Sequence, residues 1–113
     1  MMLSIVCPIY NEVGYIKGCI ESIVAQDYPK DSLEVLFVDG MSSDGTRDVV
    51  RKFISLYPFI KLLDNPKKIT PAALNIGINA AKGSIIFRLD AHAIYPHNYF
   101  SILVKHLEEL RAD

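Results

Sequence analysis

LSIVCPIYNE, residues 3–12, is the stretch that decides the fold of this 113-residue chain. Its first part, Leu3 to Ile9, is almost continuously apolar, which predicts a strand buried on both faces of a parallel sheet. Pro8 is tolerated near the end of this strand, because no further ladder hydrogen bond is needed from its nitrogen. The strand is therefore predicted to carry a tyrosine ring, an amide and a carboxylate to the mouth of the sheet.

Three further apolar runs alternate with helical patterns along the rest of the chain. The other predicted strands run from Leu33 to Asp39, from Ile60 to Leu63 and from Ser84 to Asp90. Helices are predicted from about Glu12 to Gln26, after Asp44 as far as Pro58, from Thr70-Pro71 to Gly83, and from Pro96 onward. This alternation predicts an α/β fold with a mostly parallel sheet, helices on both faces and, as we expect, the strand order 3-2-1-4.

Length and composition limit the chain to a single globular domain. A chain of 113 residues has room for one domain, and 50% hydrophobic with 22% charged residues excludes a disordered chain. Lys and Arg number 12 against 13 Asp and Glu, so no excess positive charge favours nucleic acid or an anionic membrane. Any bound phosphate would therefore have to be met by local groups.

No segment has the pattern of a membrane span or a signal peptide. The longest apolar run, Val35 to Val38, is far shorter than the ~20 residues that cross a bilayer. The residues before Pro8 lack the basic region that begins a signal peptide. We therefore expect a cytoplasmic protein in which Cys7 and Cys19 are reduced, buried thiols with a structural role.

Ligands of parallel α/β sheets bind beyond the carboxyl ends of the strands, where the strand order reverses. In the predicted order this point lies between the first and fourth strands, which end at residues 8–12 and 90–92. Tyr10 is suited to pack on a base, and Asn11 and Glu12 to bond the edge of that base or a ribose hydroxyl. The alternative is that Asn11 caps the following helix and Glu12 favours its positive end.

Two more strand ends carry polar groups. Asp39 is placed to accept hydrogen bonds from a ribose or a uracil-like ring, whereas Asp44 is more simply a helix cap. If residues 90–92 are extended, Asp90 and His92 project together, and their oxygen and nitrogen suit Mn²⁺ or Mg²⁺ with diphosphate oxygens completing the site. The alternative for His92 is a histidine packed at the strand end.

The lysine and glycine residues give weaker indications of a ligand site than the strand ends do. Lys67 and Lys68 precede the third predicted helix and form a solvated pair, unless one of them meets a phosphate. The first strand is followed by neither a Gly-x-Gly-x-x-Gly sequence nor a Walker-type loop, so dinucleotide and P-loop binding have no support.

Spaced motifs in this order make the chain resemble the family-2 glycosyltransferases, whose catalytic domain has the GT-A fold. It is most similar to the branch that includes the succinoglycan-type exopolysaccharide transferases. The motifs that carry the resemblance are residues 4–12, Ser22–Gln26, Val38–Gly40, Ser43–Thr46, Pro71–Gly77 and Arg88–Ala93.

The resemblance implies that residues 1–113 are the Rossmann-like, nucleotide-sugar-binding portion of a transferase whose acceptor half is missing. It implies a UDP- or GDP-sugar donor, a saccharide or lipid-linked acceptor, an inverting displacement and a divalent cation, Mn²⁺ or Mg²⁺. Membrane association is implied only through segments outside this sequence. The family's nucleoside contacts correspond to Pro8, Tyr10, Glu12 and Asp39, with Asn75 near the donor and Asp90 at the ribose or the metal.

Two positions depart from the family pattern. Gly40 stands where a second acidic residue is frequent, and His92 stands where the family has the second Asp of its Asp-x-Asp motif. We therefore expect different base contacts and an altered metal site. Residues 108, 109 and 113 are acids on or after an amphipathic helix and indicate a solvated face, so no general base is predicted in the chain, which is expected to transfer nothing by itself.

Two other classes of function are compatible with an α/β chain of this kind. A nucleotidyltransferase-like enzyme would need a glycine-rich loop after the first strand, and Tyr10-Asn11-Glu12 is not such a loop. In a non-catalytic domain the same motif residues would serve only as caps and packing. Binding of nucleotide sugars separates these readings from a transferase.

Overall fold

Four parallel strands form the centre of the protein. The computed structural model describes residues 2–111. The strands are β1 (Leu3–Ile9), β2 (Leu33–Asp39), β3 (Ile60–Asp64) and β4 (Ile85–Arg88). Their order across the sheet is β3-β2-β1-β4, so the predicted fold class and strand order are confirmed.

β1 has a parallel partner on each side. It pairs with β2 from Leu3 opposite Leu33 to Ile9 opposite Asp39, and with β4 as far as Val6 opposite Arg88. Both faces of β1 and β2 are buried, which explains why their sequences are apolar almost without interruption. Because all strands run the same way, their carboxyl ends meet at one edge of the sheet.

Helices cover both faces of the sheet, as predicted. They are α1 (Ile16–Val24), α2 (Thr46–Leu56), α3 (Thr70–Ala80) and α4 (Tyr99–Arg111). α3 packs on one face through Ala73, against Val6 and Leu36. The other three helices pack on the opposite face, where Ile20, Val50 and Phe100 join the larger core cluster. None of the described helices is long and apolar enough to cross a bilayer.

The predicted helix boundaries differ from the structure for local reasons. α1 begins at Ile16 instead of Glu12, because the Glu12 carbonyl accepts the N–H groups of both Tyr15 and Ile16 and closes a turn first. Thr70 lies inside α3, and the cap position falls on Ile69, which makes no side-chain capping bond. Other differences are the ends of α1 at Val24, of α2 at Leu56 and of α3 at Ala80, the start of α4 at Tyr99 and an unpredicted 3-10 turn at Lys30–Ser32.

A buried carboxylate ties the end of α3 to the sheet. Glu34 is 2% exposed, and its side chain accepts hydrogen bonds from Ser4 Oγ at 2.6 Å and from the Lys82 N–H at 2.5 Å. The Lys61 ammonium lies 3.3 Å away. Burial alone raises the pKa of Glu34, but these partners outweigh burial and the pKa lies below its ordinary value. The folded protein therefore favours the ionised form of Glu34.

We expect Glu34→Gln to lower the free energy of unfolding at neutral pH by about 1–3 kcal/mol, because it puts an amide where the partners need an anion. Because the pKa of Glu34 is lower in the folded protein than its ordinary value of 4.5, the ionised side chain stabilises the fold at pH values above 4.5. This stabilisation is lost as the pH falls through the lowered pKa. The difference between wild type and variant should therefore shrink below about pH 4. Urea unfolding across this range measures it, with exposed Glu21→Gln as the control. A difference that stays constant with pH contradicts the assignment.

Gly77 lets α3 approach β1 closely, since a Cβ at this position would lie 2.4 Å from Val6 Cγ1. We expect Gly77→Ala to destabilise the fold by about 1–3 kcal/mol through overpacking. Gly18→Ala is the matched control in α1, because its Cβ would meet Ile94 Cδ1 at an ordinary 3.7 Å. Thermal unfolding should show a loss for the first variant and none for the second. Equal melting temperatures would show that the close approach is absent.

Candidate functional site

An open cavity of about 270 Å³ lies at the carboxyl edge of the sheet. Four segments line it: the end of β1, Gly40 after β2, the loop after β3 with the start of α3, and the end of β4. Pro8, Tyr10 and Glu12 come from the first segment, and Asp90 from the last. The structure thus brings together most of the residues that the sequence singled out around the strand-order reversal.

Asn11 fastens the end of β1 to the loop after β2. Its φ of 50° is in the left-handed region that asparagine tolerates. The Asn11 N–H donates to Ser42 Oγ at 2.8 Å, and Asn11 Oδ1 accepts the Ser43 N–H at 2.9 Å. The alternative in which Asn11 caps α1 is wrong, since the cap position is Tyr15 without a side-chain bond. Asn11 is absent from the cavity wall, and its predicted contact with the nucleotide stays a prediction.

Asp39 lies inside the same loop and is fully buried. Its carboxylate accepts the Ser42 N–H at 2.9 Å, the Ser42 hydroxyl, and Arg47 Nη1 at 2.7 Å. Arg47 also pairs with Asp64 at the end of β3. The wall next to Asp39 is formed by Gly40. The structure therefore places Asp39 where it holds the loop, and a direct contact with a nucleoside stays a prediction.

Asp44 and Thr46 complete the connection between β1 and α2. Asp44 accepts hydrogen bonds from the Thr46 hydroxyl and N–H and from the Val13 N–H, and these bonds, the hydroxyl first, lower the pKa of Asp44. The cap position of α2 is Gly45, at φ 101°, so Asp44 supports the helix start from one residue earlier than predicted. The Thr46 hydroxyl accepts the Glu12 N–H at 2.8 Å.

The segment after β4 turns instead of staying extended. The Leu89 N–H still donates to the Val6 carbonyl at 3.1 Å. Beyond it, the Tyr95 hydroxyl accepts the Asp90 N–H at 2.9 Å and donates to the Asp90 carbonyl at 3.1 Å. Asp90 Oδ1 then accepts the His92 N–H at 2.8 Å. The strand predicted to reach Asp90 therefore ends at Arg88, and the argument from an extended chain is wrong, although both side chains line the cavity.

His92 connects the two sides of the cavity. Its Nε2 is in direct contact with Glu12 Oε2. Its ring stacks on Tyr15, with centroids 4.2 Å apart and planes 23° from parallel. The imidazole is thus held in place from the β1 side, although more than half of its side chain is exposed. Sequence reasoning did not find this pair, because the contact depends on the turn after Asp90.

Asp90 and His92 fit a divalent cation only together with a ligand. Oδ2 of Asp90 and Nδ1 of His92 have no partner among the described residues. No group of three His, Cys, Asp or Glu side chains suited to a metal occurs in residues 2–111. A hard cation takes six or more ligands, so the remaining ones would have to be diphosphate oxygens or water.

Two cationic side chains, Arg88 and Lys68, and one amide side chain, Asn65, also line the cavity. Arg88 and Lys68 form no salt bridge within the part of the chain that the structure describes. Arg88 and the buried Asn65 were not singled out from the sequence, although both stand at strand ends, which is the signal that would have found them. Asn75 lies apart, on a second groove of about 400 Å³ that also includes Lys67.

Comparisons with known proteins agree with this geometry. The profile of the family described as "Glycosyl transferase family 2" matches residues 4–113. The dolichyl N-acetyl-alpha-D-glucosaminyl phosphate 3-beta-D-2,3-diacetamido-2,3-dideoxy-beta-D-glucuronosyltransferase of Methanococcus voltae is 40% identical over 100 residues, covering 87% of this chain and 31% of that protein. The succinoglycan biosynthesis protein ExoA of Rhizobium meliloti (strain 1021) is 37% identical over 103 residues, covering 89% and 31%.

A solved structure is similar over almost the whole chain. The mannosyltransferase PcManGT from Pyrobaculum calidifontis, in complex with GDP-Man and Mn²⁺, aligns with a TM-score of 0.88 and 34% identity, covering 98% of this chain and 32% of that one. The chain therefore spans about a third of the length of each of these three proteins.

The Asp39–Arg47 pair gives a prediction about the loop that supports this site. Arg47→Ala leaves a buried carboxylate without its cation, and we expect a loss of about 3 kcal/mol in the free energy of unfolding. Arg51→Ala is the control on the same helix, because its 3.5 Å pair with Asp48 is largely exposed and should contribute less than about 1 kcal/mol. Urea unfolding of both variants measures the difference. Similar small losses would show that Asp39 does not depend on Arg47.

Proposed function

The chain belongs to glycosyl transferase family 2, and on that premise we propose that it supplies the nucleotide-sugar-binding part of a glycosyltransferase that builds a glycan. The observation that carries the proposal is that Tyr10 and Asp90 line one cavity, at the sheet edge where parallel α/β proteins bind nucleotides. The acceptor part of the protein would lie outside residues 1–113.

In this proposal the cavity offers groups for the base, the ribose and the diphosphate of a nucleotide sugar. The Tyr10 ring, 48% exposed, offers a surface on which a base stacks. Glu12 would accept hydrogen bonds from ribose hydroxyls, and Asp90 would take either the ribose or the cation. Arg88 and Lys68 offer charge-assisted hydrogen bonds to a diphosphate. Because the chain as a whole carries no excess positive charge, such local cations would have to bind the phosphates. The binding of GDP-Man by the similar mannosyltransferase supports this assignment.

The remaining predicted site residues take supporting roles in this proposal. Pro8 forms part of the wall beside Tyr10. Asn11 and Asp39 fix the loop on which that wall depends, through their bonds to residues 42 and 43. Asn75 lines the second groove, so it would contact the donor only if part of the donor extended into that groove.

A divalent cation, Mn²⁺ or Mg²⁺, would be held by Asp90 and His92 together with the diphosphate. When bound, such a cation neutralises charge on the departing nucleoside diphosphate. Glu12, in contact with Nε2 of His92, would direct the other ring nitrogen toward the cavity, as carboxylates do for metal-ligating histidines. The Mn²⁺ in the similar mannosyltransferase structure supports this choice.

Transfer would invert the anomeric carbon by direct displacement, and the acceptor hydroxyl would lose its proton to a general base. We place this base outside residues 1–113. Glu108 and Glu109 are exposed on α4 and do not line the cavity, and Asp113 lies outside the described residues. A lipid-linked acceptor is supported by the dolichyl N-acetyl-alpha-D-glucosaminyl phosphate in the name of the Methanococcus voltae relative. The cytoplasmic location and any membrane association stay predictions.

The proposal is tested by calorimetric titration of the intact protein with UDP- and GDP-sugars, with and without Mn²⁺. We expect binding that Mn²⁺ strengthens, and Tyr10→Ala should weaken it by about ten- to a hundredfold, because stacking on the ring is lost. Tyr10→Phe keeps the ring and is the matched control, with nearly unchanged affinity.

Two results would contradict the proposal. Binding of no nucleotide sugar at all would favour a non-catalytic domain. Tighter binding of nucleoside triphosphates than of nucleotide sugars would favour a nucleotidyltransferase.

A further inference from the structure

One short turn after β4 carries both of the side chains that would hold a cation. The Asp90 carbonyl accepts the Ala93 N–H at 3.2 Å, which closes the turn. Inside it, Asp90 Oδ1 accepts the His92 N–H at 2.8 Å, and Oδ2 is the Asp90 oxygen without a partner in residues 2–111. The position of this turn therefore decides where both ligands lie.

His92 is held from the β1 side of the cavity. Its Nε2 contacts Glu12, and its ring stacks on Tyr15 with centroids 4.2 Å apart. Neither Glu12 nor Tyr15 forms a hydrogen bond with Asp90 among the described residues. A divalent cation takes its ligands at about 2.0–2.6 Å, so Asp90 has to be placed as accurately as His92 and needs a support of its own.

The Tyr95 side chain provides that support. Its hydroxyl accepts the Asp90 N–H at 2.9 Å and donates to the Asp90 carbonyl at 3.1 Å. A phenol is both a donor and an acceptor, so one hydroxyl holds the residue at which the turn begins by both of its backbone groups. The Cys19 thiol adds a weaker contact with the same carbonyl, at 3.8 Å.

Tyr95 is itself bonded to α1 and the residues that follow this helix. The Tyr95 N–H donates to Ser22 Oγ at 3.2 Å. The Gln26 side chain, 3% exposed, donates through Nε2 to the Pro96 carbonyl and accepts the Phe100 N–H through Oε1 at 3.0 Å. The backbone on both sides of the Tyr95 side chain is therefore fixed to a helix that packs on the sheet.

We propose that Tyr95 is a positioning residue of the cation site, whose hydroxyl sets the place of Asp90 relative to His92 and thereby the affinity for Mn²⁺. This inference rests on the proposed function, since it requires a cation held by Asp90 and His92 together with a diphosphate. Tyr95 is absent from the lining of the cavity, so it acts through Asp90. Removal of such a supporting group typically weakens metal binding by about 10–100-fold.

The bonds between Tyr95 and Asp90 are exposed, which separates positioning from stability. In Tyr95→Phe, water takes the place of the hydroxyl at both backbone groups of Asp90. Water satisfies these groups but does not hold them in one position. We therefore expect the melting temperature to change by less than about 3 °C, while the cation site loses its fixed geometry.

The test deletes one hydroxyl and follows the binding of Mn²⁺ to the intact protein. Tyr99→Phe is the matched control, because the Tyr99 ring packs beside Tyr95 with centroids 5.0 Å apart and its hydroxyl has no hydrogen bond in the described part of the chain. The dissociation constant of Mn²⁺ is measured from the EPR signal of the free ion, in the presence of UDP or GDP. Calorimetry in EDTA gives the affinity for each nucleotide without metal.

Tyr95→Phe should bind Mn²⁺ at least about tenfold more weakly than the wild type, with nearly unchanged affinity for the nucleotide in EDTA. Tyr99→Phe should match the wild type in both measurements. In an Asp90→Asn background, the carboxylate that Tyr95 positions is already lost. Tyr95→Phe should therefore weaken Mn²⁺ binding by little more in that background.

Three outcomes overturn the inference and leave the proposed function standing. Wild-type affinity of Tyr95→Phe for Mn²⁺ removes the positioning role. A loss of nucleotide affinity in EDTA as large as the loss for Mn²⁺, or a large fall in melting temperature, assigns the hydroxyl to the fold as a whole. An undiminished effect of Tyr95→Phe in the Asp90→Asn background shows that Tyr95 does not act through Asp90.

Two outcomes with the wild type alone reach further. Nucleotide binding that Mn²⁺ leaves unchanged removes the cation and this inference with it. Binding of no nucleotide at all removes the proposed function as well.

Discussion

The position of β1 between β2 and β4 is the constraint on which the rest of the structure depends. Parallel pairing on both sides requires each connection to cross over the sheet, which places helices on its faces and all strand ends at one edge. Tyr10 and Asp90, far apart in the sequence, line one cavity for this reason. The cavity is therefore a consequence of strand order, and the side chains decide only what it binds.

β2 carries a buried carboxylate at each end, and the two acids hold opposite edges of the fold. Glu34 fastens the chain after α3 to the amino edge, and Asp39 fastens the loop that supports Asn11 to the carboxyl edge. Neither charge is isolated, because hydrogen bonds and a cation surround each of them. Ser42 and Arg47 take three of the roughly four acceptor positions of the Asp39 carboxylate, so its first role in the structure is to hold this loop.

Most of the sheet was predictable from the sequence, and the details of the site were not. β1 and β2 have the predicted bounds, because strands buried on both faces leave an uninterrupted apolar signal. The end of β4 was predicted too late, because the Tyr95 hydroxyl forms hydrogen bonds with both the N–H and the carbonyl of Asp90. No local sequence pattern predicts this contact. Asn65 was missed because no local sequence pattern marks it, and its place on the cavity lining follows from the packing of the loop after β3.

The two departures from the family pattern act on different parts of the cavity, and Glu12 connects them. A Cβ at Gly40 would lie 3.3 Å from Tyr10 Cδ1, so the glycine keeps the space beside the Tyr10 ring open. At position 92 an imidazole stands where the family has a carboxylate, and an imidazole that binds a cation through one nitrogen has a partner on the other. Glu12 supplies that partner from the end of β1. The segment after β1 that carries Tyr10 therefore also holds the His92 ring, through Glu12, and the two departures are linked by one short stretch of backbone.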